Sequence, residues 1–302
     1  MGTTLRIREV LDRQAVDLEH LHEREVRRFL RALDDARRDL RERLERVLVL
    51  GRGDNYTAQS VGMALAQAEA GAMQLRARLG EALDTAQAAN GQRALDDLVA
   101  VLSRRDAAFR DAGPGLETQL LRRITEENGL LLHKYSIDRY GSQLVERIQQ
   151  RLAAGIAAGE TASVIIDRVV SANASVFAGM RHRAELIVRM ELNRGYNDSH
   201  AAALQETSDT IDEPGTDDPL MRQADEFLDK RTHPISVAVD GKVTKIREPW
   251  RVPVAEVEAA ARRIGKAAGG IVVPRIGSEY VGVYPMHLGE RGRQVSVRLS
   301  WL

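Results

Sequence analysis

The chain has no cysteine. That excludes disulfides, thiolate nucleophiles and cysteine-ligated zinc, and it fits a reducing compartment. Aromatic residues make up only 4% of the 302 positions, so the expected core is aliphatic and alanine-rich. No stretch approaches the roughly 18 uninterrupted apolar residues of a membrane span. The opening MGTTLRIREVLDRQ has no apolar signal-peptide core. No membrane partner is therefore expected. An excess of one charge is also missing, since 44 Lys and Arg balance 44 Asp and Glu. A globally basic nucleic-acid surface is excluded, and any DNA contact would have to come from a local patch. Lysine occurs only at 134, 230, 242, 245 and 266. The basic residues are otherwise arginines, whose planar forks suit carboxylate or phosphate.

What is present is mostly Ala, Leu, Arg and Glu in helical order. The length allows two domains, or one domain with a long helical arm. Residues 5–50 read as a charged amphipathic helix. Val26, Leu33, Leu40 and Val47 recur every seven residues, with Leu30 and Leu44 alongside, a narrow seam of coiled-coil or helical-hairpin type. Gly51 to Asn55 is a break. Residues 58–111 read as a second long helix, with Leu65, Ala68, Ala72, Leu75, Leu79 and Leu83 as its buried stripe and Gly91 as a candidate interruption. The two are expected to fold back as an antiparallel hairpin.

Gly113-Pro114-Gly115 is the clearest linker. Helices are expected over 116–134 and 136–154, then from Thr161, then over 174–206. An acidic loop, SDTIDEPGTDDP, follows. Around Asp240-Gly241, ISVAVDGKVTKI alternates with period two and predicts a β-hairpin. A helix is expected from Pro253 to Ala268, ended by Gly269-Gly270, and strands in IVVP, EYVGVYP and RQVSVRLSW. The expected fold is mainly α, with a long N-terminal helical hairpin or bundle and a compact C-terminal α+β part carrying short antiparallel strands. The corresponding divisions are 1–112, 116–206 and 207–302, the last packed on helix 174–206.

Two blocks concentrate unusual polarity. The first is RAELIVRMELNRGYNDSHAAAL, residues 183–204, and the second is DKRTHPISVAVDGKV, residues 229–243. In the first block, helical spacing aligns Met190, Arg194, Asn197 and Ala201, and puts Asn193 near the apolar side. A buried Asn must be hydrogen-bonded, so this helix is expected to brace an irregular segment. The second block is the obvious partner, with Asp229 and Thr232 bonding backbone amides and Pro234 fixing the turn. A metal site would draw on Asp229, His233, Asp240 and His287, but no zinc-like spacing is met. A Mg²⁺-dependent nuclease would need carboxylates converging near a cation, and Asp229, Asp240 and Lys242 offer that alternative. There is no nucleophile elbow, Walker loop or dinucleotide fingerprint. The favoured reading is structural, with no enzyme activity, metal or cofactor.

At these residues the chain resembles the phage minor head proteins of the Mu F-like head morphogenesis family. Their helix pattern R-A-x-x-I-x-R-x-E-x-N-R-x-Y-N is met by Arg183, Ala184, Ile187, Arg189, Glu191, Asn193, Arg194, Tyr196 and Asn197. Their D-x-R-T-x-P stretch followed by D-G-x-V is met by Asp229, Arg231, Thr232 and Pro234, then Asp240, Gly241 and Val243. The closing segment Tyr284 to Trp301 is also similar, except that relatives often carry Cys and His where this chain has Ser296, Arg298 and Ser300. The likeness covers residues 174–302. It implies a portal-associated virion protein, lying in the head interior or at the portal vertex and in host cytoplasm during assembly. It would assist procapsid assembly and DNA packaging or delivery. Implied partners are the portal protein and the major capsid or scaffolding protein. Weak, salt-dependent double-stranded DNA binding would fall to Arg122, Arg123, Arg181, Arg262 and Arg263.

Overall fold

The computed structural model describes residues 2–48, 58–112, 115–116, 118–120, 122, 133–171, 175–213, 215–226, 232–267, 271, 274–282, 293–298 and 300. The fold is mainly α with a C-terminal α+β part. The helices are α1 (Gly2–Leu48), α2 (Ala58–Arg105), α3 (Ala107–Ala112), α4 (His133–Ala157), α5 (Ala162–Val170) and α6 (Val176–Ile211). Then follow β1 (Met221–Asp225), α7 (Pro234–Val239), β2 (Val243–Lys245), β3 (Trp250–Pro253), α8 (Val254–Ile264), β4 (Arg275–Ile276), β5 (Glu279–Gly282) and β6 (Arg293–Val297). The chain groups into two compact units. One comprises Met1–Glu23, Ala86–Leu131 and Arg189–Leu302, and the other Arg24–Thr85 and Leu132–Val188. This is a different division from one cut at 113–115 and 207, because its boundaries fall inside α1, α2 and α6.

Every described element of the second unit is a helix. Its segments of α1 and α2 run antiparallel, since Arg78 pairs with Asp39 at 2.9 Å and Arg43 donates to Gln74 at 2.7 Å. Val26, Phe29, Leu33, Leu40, Leu44 and Leu48 of α1 are buried with Leu75, Leu79 and Leu83 of α2. Val47, the expected seam position, is only half-buried, and Leu48 takes its place. A straight helix drifts about 20° per heptad against a strict seven-residue repeat, so a stripe of period 3.6 slips off the heptad after six turns. Thr161 caps α5 through its side chain, accepting from Val164 N. The close approach of α4 to α5 occurs at Gly155, where a Cβ would lie 2.7 Å from Ile165 Cγ1.

In the first unit α1 and α2 also run antiparallel. Gln14 donates to the Asp97 carbonyl at 3.2 Å, and Arg93 pairs with Asp17 at 3.4 Å. Gly91 lies inside α2 without breaking it. The break comes at Asp106 instead, whose carboxylate accepts from Phe109 N at 3.1 Å and starts α3. Leu95, Leu98, Leu102, Phe109, Leu116 and Leu120 pack with Ala203, Leu204 and Leu220. Burying each such leucine contributes roughly 1.5–3 kcal/mol. Two three-stranded antiparallel sheets follow, ordered β2-β1-β6 and β3-β5-β4. Beyond β6, Arg298 pairs with Asp106 at 2.7 Å and Asp212 at 2.8 Å and donates to the Asp218 carbonyl at 2.5 Å. One arginine thus ties the α2–α3 junction to the loop after α6.

The C-terminal part departs from the expected elements in four places. The predicted Asp240-Gly241 hairpin is a helix followed by a turn. Pro234 stands at the first helical position and His233 Nδ1 accepts from Ile235 N at 3.2 Å, so residues 234–239 form α7. Ile235 and Val239, four residues apart, are buried with Ala224, Trp250, Val252 and Val257, which is helical spacing rather than strand alternation. Helix α8 ends at Gly265, not at Gly269-Gly270, because Gly265 takes a left-handed φ of 66° and both it and Lys266 donate to the Ala261 carbonyl. Residues 208–211, read as loop, complete α6. Strands β1 and β3 were not expected at all. Of the expected strand IVVP only Ile271 and Pro274 are described, and the segment from 283 to 292 lies outside the described residues, as do Gly51–Asn55 and Trp301.

Candidate functional site

The first polar block lies on α6, and from Val188 to His200 that helix is buried around most of its circumference. Asn193 is 1% exposed and Asn197 0%. Both are satisfied. Asn197 donates Nδ2 to the Asn193 carbonyl at 2.9 Å and to Asn193 Oδ1 at 3.1 Å. Asn197 Oδ1 accepts from Gln294 N of β6 at 2.8 Å. The helix is therefore braced to a strand, as its buried Asn residues require. The described contact is with β6, which the sequence reading did not single out.

The polar chain continues into the sheets. Gln294 Oε1 accepts from Arg222 Nη1 at 3.0 Å, and Arg222 also donates to the carbonyls of Lys245 and Glu248. The Arg222 guanidinium lies 5.5 Å from the centre of the Trp250 ring, a cation–π distance. On its other side α6 is held by α2. Asn90 donates to the Leu192 carbonyl at 3.0 Å, and Tyr196 donates its hydroxyl to Asp97 at 2.8 Å. Asp97 in turn pairs with Arg93 at 2.8 Å. Tyr196 and His200 stack with ring centres 6.2 Å apart. His22 is buried nearby and its pKa is pushed down to about 4, first by burial and then by the Arg189 charge, against an interaction with Asn90 that favours the protonated imidazole.

The remaining sequence-derived residues are dispersed. Glu191 is buried and Arg189 half-buried in the same stretch of α6, and Arg194 pairs with Asp198 at 3.4 Å. Arg183 is exposed in the all-helical unit, where its charge opposes the upward push of burial on the Tyr140 hydroxyl. In the second block Thr232 is buried and its carbonyl accepts from Lys266 Nζ at 3.0 Å, while Pro234 is buried at the start of α7. Asp240 Oδ1 accepts from Glu226 N at 3.0 Å. Gly241, with φ 74°, donates to the Ala224 carbonyl at 2.9 Å and turns the chain into β2. Asp229, Arg231, Arg123 and His287 lie outside the described residues.

No protein-family model, curated protein or solved structure matches the chain. The site must therefore be read from its own chemistry. Among the described residues no three His, Asp or Glu side chains come together in a way that could hold a metal ion. Asp240 faces a backbone amide, and Lys242 pairs with Glu256 at 2.8 Å. Of the candidate DNA contacts, Arg122, Arg262 and Arg263 are exposed in the mixed unit. Arg181 is in the helical unit and holds both oxygens of Asp34, at 2.9 and 2.8 Å. The residues that sequence reasoning missed are Arg222, Gln294, Trp250, Asp97 and His22. An inward Arg two residues from an alanine in a five-residue strand leaves no periodic signal, and Asp97 looks like any charge on a solvated helix.

Proposed function

We propose that the chain is a phage minor head protein that associates with the portal and assists procapsid assembly and DNA packaging or delivery. The reading rests on the two polar blocks, matched in order to the family pattern. It is supported by one observation above the others, the bond from Gln294 N to Asn197. A motif residue that holds a helix to a terminal strand has a structural reason to be what it is, and needs no substrate to explain it. The partners in this reading are the portal protein, the major capsid or scaffolding protein, and double-stranded DNA held weakly.

The test is mass spectrometry of purified particles produced with the gene intact and deleted, paired with affinity capture of the tagged chain. Co-purification with portal protein, and loss of packaged or infective particles on deletion, is the expected result. Particles that lack the chain, together with unchanged packaging in the deletion, would overturn the proposal.

A further inference from the structure

We propose that a cleft in the all-helical unit binds a monoanionic carboxylate carried on a small apolar body. This does not depend on the role in phage assembly. The cleft is lined by α1 and by residues at the end of α5 and the start of α6, and its volume is about 170 Å³. Leu33, Phe177 and Ala178 form an apolar wall, and Asp34, Arg37 and Arg181 form the polar one.

The arginines are the reason to expect an anion. Arg37 is held in place by α5, donating Nη1 to the Val170 carbonyl at 3.1 Å. Its Nε–H is buried without a hydrogen-bond partner, and the nearest carboxylate oxygen, Asp34 Oδ1, stands 3.8 Å away. That nitrogen is closed to a water-sized probe, so a ligand in the cleft would meet Arg37 at the outer edge of its guanidinium, the side chain being 24% exposed. Arg181 uses Nη1 for both oxygens of Asp34. Its other nitrogens are available, and its side chain is 47% exposed. Two guanidinium groups and one carboxylate leave a single positive charge, which one carboxylate would neutralise and a phosphate dianion would overshoot. The apolar wall then asks for more than a bare ion.

The probe is sodium benzoate, with benzamide as its neutral counterpart of the same shape, titrated into the full chain by calorimetry and by NMR of the arginine Nε–H signals. Saturable millimolar binding of benzoate alone is expected, with Arg37 Nε–H among the signals that move. Arg181→Gln, at a half-exposed position, should weaken benzoate at least about tenfold with the helical circular dichroism intact. Asp34→Asn should tighten it severalfold by releasing Arg181 and removing a like charge, a gain that a purely structural pair would not produce. A second arm compares N-acetyl-alanyl-phenylalanine with its C-terminal amide. Tighter binding of the peptide acid than of benzoate assigns the site to a chain terminus, and the reverse assigns it to a free small acid. Absence of saturation, equal binding of benzamide, or benzoate affinity unchanged in Arg181→Gln would each overturn the proposal.

Discussion

Asn197 shows how one side chain can join two secondary-structure types. It is fully buried and both ends of its amide are used, by Asn193 within the helix and by Gln294 N of β6. Asn197→Ala leaves the Gln294 N–H without a partner in a closed environment. An unpaired buried group costs about 1–3 kcal/mol, and the lost packing adds to it. Urea unfolding should therefore show a loss of about 2–4 kcal/mol for Asn197→Ala, against about 0.5 kcal/mol for Arg194→Ala, whose ion pair with Asp198 is partly exposed. Equal midpoints for the two variants would show that the Asn bridge is not a stabilising contact. His22 provides a pH-dependent counterpart. Folded, it titrates near 4, while an unfolded histidine titrates near 6.5. Between those values the unfolded chain holds a proton that the folded chain refuses, so stability rises with pH across the window. The contribution is complete above about pH 6.5 and falls as pH drops toward 4, by a total of about 3 kcal/mol. Other groups titrate there too, so the comparison is with His22→Gln. The difference in unfolding free energy between the two proteins should change from pH 7 to pH 4.5, and a constant difference would refute the assignment.

At the scale of elements, two glycines in helices make opposite predictions. Replacing Gly by Ala in a helix interior gains about 0.5–1 kcal/mol where space is open. At Gly80 of α2 nothing lies within 4 Å of the added Cβ, so Gly80→Ala should stabilise by about that amount. At Gly155 of α4 the Cβ would meet Ile165 Cγ1 at 2.7 Å and Cδ1 at 3.2 Å. Ile165 is fully buried and cannot swing into solvent, so an overpacking cost of about 1–3 kcal/mol exceeds the propensity gain. Thermal midpoints moving in opposite directions would bear this out, and a stabilising Gly155→Ala would show that α5 shifts freely. Neither sign is legible in the sequence, where both are isolated glycines in alanine-rich helices. What is legible is what depends on local order. The long helices follow from uninterrupted helix formers, and the start of α5 follows from Thr161. The α7 segment fails for a definite reason. Ile235, Val237 and Val239 read as alternation, but Pro234 and His233 supply a helix start, and the tertiary core takes Ile235 and Val239 on one helical face. Strand β1 is hidden because Arg222 points inward, where its terminal nitrogens bond Gln294 and two carbonyls that lie more than twenty residues away. The Asn193–Asn197 brace was legible as a need for a partner, but the identity of the partner was not.

For the whole molecule the balanced charge would limit any DNA binding of the kind proposed. With 44 cationic and 44 anionic side chains, long-range attraction is weak, and the proposed DNA contact would depend on a local group of exposed arginines. Arg181 shares its charge with Asp34, which lessens its pull on a phosphate. Arg122, Arg262 and Arg263 are exposed, the last two in the final turn of α8, where a cation also complements the helix dipole. Each phosphate neutralised on duplex DNA contributes about −0.9 to the slope of log K against log salt, so three contacts give a slope of about −3. Fluorescence anisotropy with a random duplex over increasing NaCl should return a slope near that value. Changing Arg262 and Arg263 to Gln together should reduce its magnitude by about 2 while leaving the unfolding midpoint nearly unchanged, because neither side chain is buried. A slope much steeper than −3, or one indifferent to the double change, would place any DNA contact on residues other than those of α8.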